Sequence, residues 1–589
     1  MSAGLLDRLE ALLHREHYAI HTGHRELMAM PIDERVDRGD SLSELVWDGE
    51  ADGEIRLRCG DNLAKYRSGD PLRLANVDAE ERGAGAGVVY ASFHDASGTL
   101  IVRRDPFRPG GTFDPLRPLR LDPEVQSLTA LALEALGRVR GGRSGASITA
   151  RAVLEGAAER VVDENARTRA LAAAGAAGGS LDASQREAFV EAMSARPVAL
   201  VQGPPGTGKT HVLARIVRAF ADSGRRVLVT AYTHRAVNQA LRKIVETGTE
   251  VPVIKAGKSD GADDLRGTRV VPVPSMKKVP KPNGRGQIVG TTIFGARAAW
   301  EAGTYDVVVV DEAAQVPLTF AACALLAAER YVLIGDHRQL GPIVQGRHAD
   351  PLAGSSLFGH AAASYPPVVL ETTYRMNEAL NAFPSRMFYG GRLVASPATA
   401  AARFPATAGG PFDDLFDPER PAVLALVSHE GFRMRCPAEA RLVADLVLDR
   451  IVRQRGDPRQ MAVVSPYRAQ LRLIRTLIRR GLDAAGVRCV LPVIDTVERI
   501  QGQERELVIV SLAGSDPDYL GGDAASFFFA PARLNVTLTR ARTKLIVVGS
   551  PLAFEAFPKT LAGLAGVERF RRLRRELPAV DCTARATPA

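Results

Sequence analysis

The spacing of apolar and polar positions divides the first third of the chain into three kinds of segment. Leucines that recur at helical spacing predict an amphipathic N-terminal helix within residues 1–35. Short alternating runs separated by Gly and Asp predict strands over 36–106, a pattern typical of a small β-barrel or sandwich. The next segment, 107–180, begins as a proline-rich linker and continues in sequence rich in Ala, Leu, Arg and Glu, which predicts a helical stalk.

Continuous apolar runs alternate with helical patterns through most of the remaining sequence. Such runs predict parallel sheets covered by helices on both faces, and therefore two α/β domains in tandem, at 181–367 and 368–556. The proline- and lysine-containing segment at about 251–287 is interpreted as a basic insertion in the first of these. The basic C-terminal tail, 557–589, is most simply a solvated helix face. The strand-like runs are VALVQ (198–202), RVLVT (226–230), QIVG (287–290), YDVVVV (305–310), YVLI (331–334), AVLALVS (422–428), MAVVS (461–465), LVIVSLA (507–513) and KLIVVGS (544–550).

Composition narrows the class of protein. Of the 589 residues, 46% are hydrophobic and 24% are charged, which is ordinary for a globular chain and excludes a largely disordered one. The net charge of +9 permits a polyanionic partner without proving one. The five cysteines are far apart and form no C-x-x-C pair, so zinc ribbons, iron–sulfur clusters and a disulfide framework are not expected. Charged residues interrupt the N-terminal sequence, so we expect a soluble, cytoplasmic protein without a signal peptide or a membrane partner.

One glycine-rich segment has the pattern of a phosphate-binding loop. It follows an apolar run and precedes a helical pattern, and this context makes a chance glycine-rich turn a poor alternative. Glycines let backbone N–H groups close around phosphate oxygens, and a helix N-terminus adds positive potential there. Lys209 would reach the β- and γ-phosphates and Thr210 would bind Mg²⁺, so the expected cofactors are ATP and Mg²⁺. The segment is Gly203, Pro204, Pro205, Gly206, Thr207, Gly208, Lys209 and Thr210.

Acidic and amide side chains follow the next apolar runs. Asp311 and Glu312 end the run VVVV, and the carboxyl ends of parallel strands are where α/β domains bind ligands. Asp311 would hold Mg²⁺ and Glu312 would act as general base for the attacking water. Taken alone, the pair could equally be a solvated strand end. Asp336 and Gln339 follow the next run, where an amide would sense the γ-phosphate.

Three further residues are candidates for nucleotide contact. Arg375 and Arg540 lie in the second α/β domain, where an arginine can stabilise γ-phosphate charge, although each alone could be an ion-paired surface residue. Gln185 precedes the glycine-rich loop, and its amide can pair with the adenine edge. The structural alternative for this segment is a capping box made by Ser184 and Glu187, and the two interpretations are compatible.

The ordered set of motifs over 181–556 resembles superfamily 1, subgroup B helicases. It is most similar to the group that contains the Upf-type RNA helicases and their DNA-acting relatives. The resemblance rests on LDASQREAF, GPPGTGKT, TAYTHRAVNQAL, IVGTTIFGA, VVVVDEAAQ, LIGDHRQLGPIV, TTYRMNEAL, VVSPYRAQL, IDTVERIQGQERELVIVSL and RLNVTLTRAR.

The resemblance implies two RecA-like domains that bind ATP between them, preceded by a small β-barrel and a stalk. By position, Gln185 would contact adenine, Glu504 the ribose side, and Gln339, Arg375 and Arg540 the γ-phosphate. It also implies translocation from 5′ to 3′ along single-stranded DNA or RNA. His234 stands where relatives often have Asn. The residues implied on or near the nucleic-acid path are Thr233, His234, Thr291, Thr292, Tyr467, Arg468 and Thr496.

The resulting hypothesis is an ATP-dependent helicase and translocase on single-stranded nucleic acid. One alternative is a nucleotide-gated clamp or remodelling ATPase that does not unwind duplexes, which the intact Glu312 disfavours. Another is a small-molecule kinase or transferase with a phosphate-binding loop, which the second domain and its two arginines disfavour. The sequence leaves the choice between DNA and RNA open, and it does not identify the pathway or the protein partners.

Overall fold

The computed structural model describes residues 4–60, 62, 64–66, 68–79, 85–94, 97–105, 108, 110–125, 127–176, 181–257, 263–282, 284, 286–300, 305–522 and 524–586. The chain divides into two compact units. The first unit is Met1–Gly203, Gly208–His337 and Gly341–Leu370; the second is Pro204–Thr207, Arg338–Leu340 and Glu371–Ala589. Among the described residues, no helix combines the length and apolar character needed to cross a membrane.

The first unit begins with two helices and a closed antiparallel barrel. Helix α1 (Leu5–Ala29) buries leucines at helical spacing, as the sequence predicted, and α2 (Ile32–Asp37) leads into the barrel. Around the barrel the strands pair in the order β1-β2-β5-β4-β3-β6. This confirms the predicted small barrel, although its last strand follows residue 106, within the segment interpreted as linker and stalk. The strands are β1 (Leu42–Ala51), β2 (Glu54–Arg58), β3 (Pro71–Asn76), β4 (Ala86–His94), β5 (Thr99–Arg104) and β6 (Leu119–Pro123).

Helices connect the barrel to the first sheet. Most of the Ala- and Leu-rich sequence is helical as predicted, and helix α3 packs against both α1 and α4. The predicted boundary at 178–180 lies outside the described residues. The elements are α3 (Thr129–Gly141), α4 (Gly145–Leu154), β7 (Val161–Val162), α5 (Glu164–Ala176), α6 (Ala183–Ser194) and β8 (Ala195–Arg196).

A parallel sheet forms the centre of the first unit, with strand order β12-β11-β13-β10-β14-β15-β9-β16. The predicted runs from VALVQ to YVLI all form strands of it. The elements are β9 (Val198–Gln202), α7 (Lys209–Asp222), β10 (Arg226–Ala231), α8 (His234–Glu246), β11 (Val253–Ala256), β12 (Val271–Val273), β13 (Gln287–Thr292), β14 (Val307–Val310), α9 (Ala321–Leu325), β15 (Tyr331–Gly335), α10 (Leu357–Ala361) and β16 (Val368–Val369).

Both faces of this sheet are buried. Along β10, Leu228 belongs to one apolar core, and its neighbours Val227 and Val229 belong to the core on the other face. Because successive side chains of a strand point to opposite faces, a continuous apolar run is what a sheet covered on both sides requires. The prediction of a parallel sheet between two layers of helices is therefore confirmed.

The second unit repeats this architecture. Its main parallel sheet has the order β21-β20-β22-β23-β19-β24, and β17 pairs with β18 separately. The strands are β17 (Thr372–Thr373), β18 (Val394–Ala395), β19 (Ala422–Leu426), β20 (Met461–Val464), β21 (Val493–Asp495), β22 (Arg505–Ser511), β23 (Ala541–Gly549) and β24 (Ala579–Asp581). The helices are α11 (Glu378–Tyr389), α12 (Pro397–Ala400), α13 (Asp413–Phe416), α14 (Pro437–Leu448), α15 (Arg468–Ala484), α16 (Val497–Ile500), α17 (Pro517–Gly521), α18 (Ala524–Phe528), α19 (Pro531–Leu538), α20 (Pro551–Glu555), α21 (Leu561–Glu576) and α22 (Thr583–Ala586).

Candidate functional site

The glycine-rich loop joins the carboxyl end of β9 to the first turn of α7. Gly206 and Gly208 have φ angles of 74° and 77°, in the left-handed region that side chains rarely tolerate. The Gly203 N–H donates to the Gly335 carbonyl over 3.0 Å, which ties the start of the loop to the end of β15. The loop therefore has the strand–turn–helix setting in which backbone N–H groups and a helix N-terminus can surround phosphate oxygens.

Lys209 is the first residue of α7, and Thr210 lies beside it in the first turn. The Lys209 ammonium donates to the Gly203 carbonyl over 2.7 Å, so the side chain folds back across the loop. A lysine held in this way can exchange a carbonyl partner for phosphate oxygens without moving far. The phosphate-binding role of Lys209 stays a prediction.

The N-terminus of α6 corrects one prediction. The capping box is formed by Asp182 and Gln185, not by Ser184 and Glu187: the Asp182 carboxylate accepts from Gln185 N–H over 2.8 Å, and Gln185 Oε1 accepts from Asp182 N–H over 3.2 Å. The helix begins at Ala183, two residues earlier than the predicted cap required. Gln185 is 3% exposed, and its Nε2 lies 2.8 Å from where a Cβ on Gly208 would stand. The glutamine therefore caps its helix and lies against the phosphate loop at once.

Asp311 and Glu312 follow β14 at the same edge of the sheet as the loop. Asp311 is 4% exposed, and among the described residues its carboxylate accepts a hydrogen bond only from Glu312 N–H, over 2.9 Å. The pKa of Asp311 is raised to about 7, first by burial and then by the Glu312 carboxylate, while the Lys209 ammonium and the Glu312 N–H act in the opposite direction. The three charged groups are therefore electrostatically linked inside the first unit.

Glu312 has a φ angle of 49°, which is uncommon for a residue with a side chain. Backbone in this region costs energy and clusters at functional sites. The Gln315 amide donates to Glu312 Oε2 over 3.3 Å, which orients the carboxylate. The turn thus keeps a half-buried carboxylate beside Asp311 in a fixed direction.

The loop after β15 contributes the amide predicted from sequence. Asp336 is 2% exposed, and its Oδ1 accepts from Gln202 Nε2 over 3.3 Å at the end of β9. Gln339 is 8% exposed and groups with the second unit. Sequence reasoning did not name Gln202, whose polar side chain at the end of an apolar run was the available signal.

Within the second unit, the segment Pro204–Thr207 lies against the residues that follow β17. The Thr373 hydroxyl donates to the Pro205 carbonyl over 2.9 Å, and Tyr374 N–H donates to the Gly206 carbonyl over 2.8 Å. A Cβ on Gly206 would stand 2.5 Å from the Cβ of Arg375. Gly206 is therefore required both by its backbone conformation and by the approach of Arg375, a relationship that sequence reasoning missed.

The two candidate arginines of the second unit are held by different partners. Arg375 donates from Nε to Glu504 Oε2 over 2.6 Å and from Nη1 to the Thr539 carbonyl over 3.0 Å. Arg540 is 1% exposed and donates to the carbonyls of Val536 and Gln503 over 3.0 and 3.1 Å. Arg375 is ion-paired, as the alternative interpretation expected, although only 11% of its side chain is exposed, and Arg540 is buried.

Residues implied on the nucleic-acid path in the first unit lie at the carboxyl ends of β10 and β13, which are adjacent strands. Thr233 caps α8 by accepting from Ala236 N–H over 3.3 Å, and Thr292 accepts from Gly295 N–H over 3.3 Å. Thr291 is 1% exposed, so its side chain is buried. The threonines thus share one edge of the sheet, and the described contacts assign them capping and packing roles.

Sequence reasoning missed a buried lysine at this edge. Lys255 is the third residue of the apolar strand β11, is 1% exposed, and lies with Nζ 3.2 Å from His234 Nδ1. Its ammonium also donates to the Ala256 carbonyl over 3.1 Å, and burial lowers its pKa to about 8. A lysine inside the run VPVIKA was the signal that could have identified it.

In the second unit the corresponding residues also follow strands of the sheet. Tyr467 precedes α15, which begins at Arg468, and Thr496 precedes α16. The Tyr467 ring is 6% exposed and stacks with its centre 6.3 Å from the centre of the Phe528 ring. Thr496 is 6% exposed. These two side chains are thus mostly buried, and rearrangement would be needed for them to contact a strand directly.

The residues around the loop fit a magnesium nucleotide. An ionised carboxylate that is buried with a single N–H donor needs a cation close by, and oxygen ligands are what Mg²⁺ prefers. Asp311 supplies such a carboxylate, and Thr210 supplies a hydroxyl in the first turn of α7. The glycines supply room for phosphate oxygens close to the backbone.

Comparisons with known proteins bear on the family. Two family models, each described as an AAA domain, match residues 180–386 and 353–552. The DNA replication ATP-dependent helicase/nuclease DNA2 of Mus musculus is 30% identical over 412 residues, and the enzyme JHS1 of Arabidopsis thaliana, with the same description, is 28% identical over 398 residues. The chain is thus similar in sequence to ATP-dependent helicase/nucleases of the DNA2 type. The match includes 64% of this chain in both cases.

The chain spans well under half the length of these DNA2-type relatives. It covers 38% of the mouse protein, 29% of the Arabidopsis protein and 26% of the DNA2 protein of Saccharomyces cerevisiae, which is 28% identical over 419 residues. Among solved structures, arterivirus nonstructural protein 10, a helicase, matches over 89% of this chain and 80% of its own, with 17% identity and a TM-score of 0.38.

Proposed function

We propose that this protein is an ATP-dependent motor that moves along single-stranded nucleic acid and separates duplex strands. The observation that carries the proposal is the cluster around the phosphate loop: Lys209 on the loop, with the Asp311–Glu312 pair at the same sheet edge and electrostatically linked to it. The chain's DNA2-type relatives, whose names describe ATP-dependent helicase/nucleases, support the motor activity.

The first unit would bind ATP and activate water. The backbone N–H groups of the loop and the Lys209 ammonium bind the β- and γ-phosphates. Thr210 and Asp311 would hold Mg²⁺, which would neutralise part of the phosphate charge. Glu312 accepts the proton from the attacking water, and its orientation by Gln315 keeps the accepting oxygen in place. Gln185, already beside Gly208, binds the adenine edge.

The remaining polar residues would stabilise the transition state. Gln339, Arg375 and Arg540 contact the γ-phosphate, where a guanidinium spreads positive charge over two oxygens. The close approach of the Arg375 Cβ to Gly206 of the phosphate loop supports this role for Arg375. Glu504 orients the Arg375 guanidinium and lies on the ribose side.

Nucleic acid would bind along the carboxyl edges of the two main sheets, where Thr233, Thr291, Thr292, Tyr467 and Thr496 lie. Such contacts are made mainly with the phosphate backbone, so binding should weaken steeply with salt and depend little on sequence. Arg468 and His234 add donors beside these threonines. The resemblance favours movement from 5′ to 3′.

The test is ATP hydrolysis measured with and without single-stranded DNA and single-stranded RNA of equal length. We expect single-stranded DNA or single-stranded RNA to raise kcat for ATP hydrolysis. The strand that raises kcat more identifies the nucleic acid on which the protein acts. Hydrolysis that neither strand stimulates would contradict the motor and favour a small-molecule transferase. Tight strand binding without any hydrolysis would instead support the nucleotide-gated clamp.

A further inference from the structure

Positive charge collects at the amino ends of adjacent strands of the first sheet, on the edge opposite the phosphate loop. Arg196 precedes β9, Arg225 precedes β10, Asp306 precedes β14, and Arg330 precedes β15. In the sheet these strands lie side by side in the order β10-β14-β15-β9. All four side chains line one cavity of about 220 Å³, which we name the amino-edge pocket.

Arg330 is the buried member of this group. It is 9% exposed, donates from Nη2 to the Ala192 carbonyl over 3.0 Å, and lies with Cζ 4.8 Å from the centre of the Phe220 ring. Its Nε is buried and has no hydrogen-bond partner among the residues that the structure describes. A buried guanidinium with an unpartnered donor is costly unless an acceptor reaches it.

The charged groups around Arg330 repel its guanidinium more than they stabilise it. The pKa of Arg330 is lowered to about 10, first by burial and then by the charges of Arg196 and Arg225, while Asp163 acts in the opposite direction. An anion bound beside these three cations would reduce the repulsion that the acidic residues of the lining leave uncompensated.

The exposed arginines are available to an anion. Arg225 forms an ion pair with Asp306 over 3.1 Å, and both side chains are more than one third exposed. Arg196 makes no side-chain hydrogen bond or ion pair with any residue that the structure describes. Glu329 and Asp306 are the acidic groups of the lining, against the three arginines. A solvated pair such as Arg225–Asp306 contributes little, so an anion can compete for the arginine.

We propose that the amino-edge pocket binds a phosphate group, as inorganic phosphate or as the phosphate of a small phosphomonoester. A tetrahedral dianion offers acceptors in several directions, and the planar fork of arginine matches a pair of its oxygens. The cavity is smaller than the ~300 Å³ at which pockets for drug-sized ligands begin, so a whole nucleotide does not fit. The pocket is distinct from the nucleotide site, and the inference does not depend on the motor activity.

The test measures binding of inorganic phosphate and of glycerol 3-phosphate by titration calorimetry, at constant ionic strength maintained with chloride. The full chain with Lys209→Ala is used, so that the phosphate loop contributes little. Three proteins are compared: this one, the same chain with Arg196→Ala and Arg225→Ala, and a control with Arg242→Ala and Arg269→Ala, two exposed arginines outside the pocket. Circular dichroism establishes that each is folded.

We expect saturable binding of at least one probe, weakened about tenfold or more in the pocket variant, because charge-assisted hydrogen bonds are lost, and unchanged in the control. Tighter binding of glycerol 3-phosphate would identify a phosphomonoester as the ligand, and equal or tighter binding of inorganic phosphate would identify the free ion. Absence of saturable binding, or equal weakening in pocket variant and control, would overturn the proposal.

Discussion

The guanidinium of Arg375 donates from Nε to Glu504 Oε2 over 2.6 Å, while its Cβ stands so close to Gly206 that a methyl group there would be 2.5 Å away. One side chain is thus packed against the phosphate loop at its base and oriented by a carboxylate at its tip. The Thr539 carbonyl accepts a hydrogen bond from Arg375 Nη1 and so fixes the other side of the guanidinium. An arginine held in this manner is pre-arranged for an anion near Gly206.

Replacing Arg375 with Ala should lower kcat for ATP hydrolysis by about 10³-fold or more, since an arginine that stabilises transition-state charge is worth that much. Arg375→Lys should recover little, because an ammonium lacks the planar fork. Glu504→Gln is the matched control for stability: its half-exposed ion pair should change the free energy of unfolding by less than ~1 kcal/mol. Steady-state ATPase assays and urea unfolding check these outcomes, and turnover by Arg375→Ala within twofold of the unchanged protein would refute the assigned role.

Glu312→Gln should retain ATP binding and lose turnover by about 10²- to 10⁴-fold, because the amide fills the same space and cannot accept a proton. Steady-state ATPase activity and equilibrium binding of a fluorescent ATP analogue separate the two properties. Gln315→Ala is the companion variant. It leaves the base in place without its amide donor, so its effect on kcat should be smaller. Normal turnover by Glu312→Gln would show that another group takes the proton.

In the absence of metal, Asp311 should make the free energy of unfolding fall as pH rises, which is the opposite of what most carboxylates do. Burial raises its pKa from 3.8 to about 7 in the folded chain. Between these values the folded state holds a proton that the unfolded state has released, so the free energy of unfolding falls as pH rises through this window. Asp311→Asn removes the effect.

The measurement is Tm in the presence of a chelator, for Asp311→Asn and for the unchanged protein, at constant ionic strength. The Tm of the variant minus that of the unchanged protein should increase from about pH 5 to about pH 8, because only the unchanged protein has to ionise a buried carboxyl. A difference that stays constant over this range would show that Asp311 ionises in the folded chain as it does in the unfolded one.

Much of the fold was visible in the sequence because its signals are local. The runs that became β9, β10, β14 and β15 are continuous and apolar, as burial on both sheet faces demands. The phosphate loop was equally local, since its glycines and Lys209 occupy one short segment. The helix cap was misplaced because Asp182 and Ser184 both precede polar residues at capping-box spacing, and only the backbone decides which residue leaves the helix.

The relationships that sequence could not provide join distant segments. Arg196, Arg225 and Arg330 are separated by more than a hundred residues in total, and only the order of the parallel strands brings their ends together. The approach of Arg375 to Gly206 likewise depends on where β17 ends. In the sequence, Lys255 is one polar residue near the end of a strand. Only the structure shows that it is buried beside His234.

The most direct test of the motor is displacement of a labelled strand from duplexes that carry a 5′ or a 3′ single-stranded tail, with ATP and Mg²⁺ present. The intact protein should displace the strand from the 5′-tailed duplex, and Lys209→Ala should displace none while keeping its circular dichroism spectrum and its affinity for single strands. Displacement by Lys209→Ala at the rate of the intact protein, or by the intact protein without ATP, would contradict an ATP-driven motor centred on this phosphate loop.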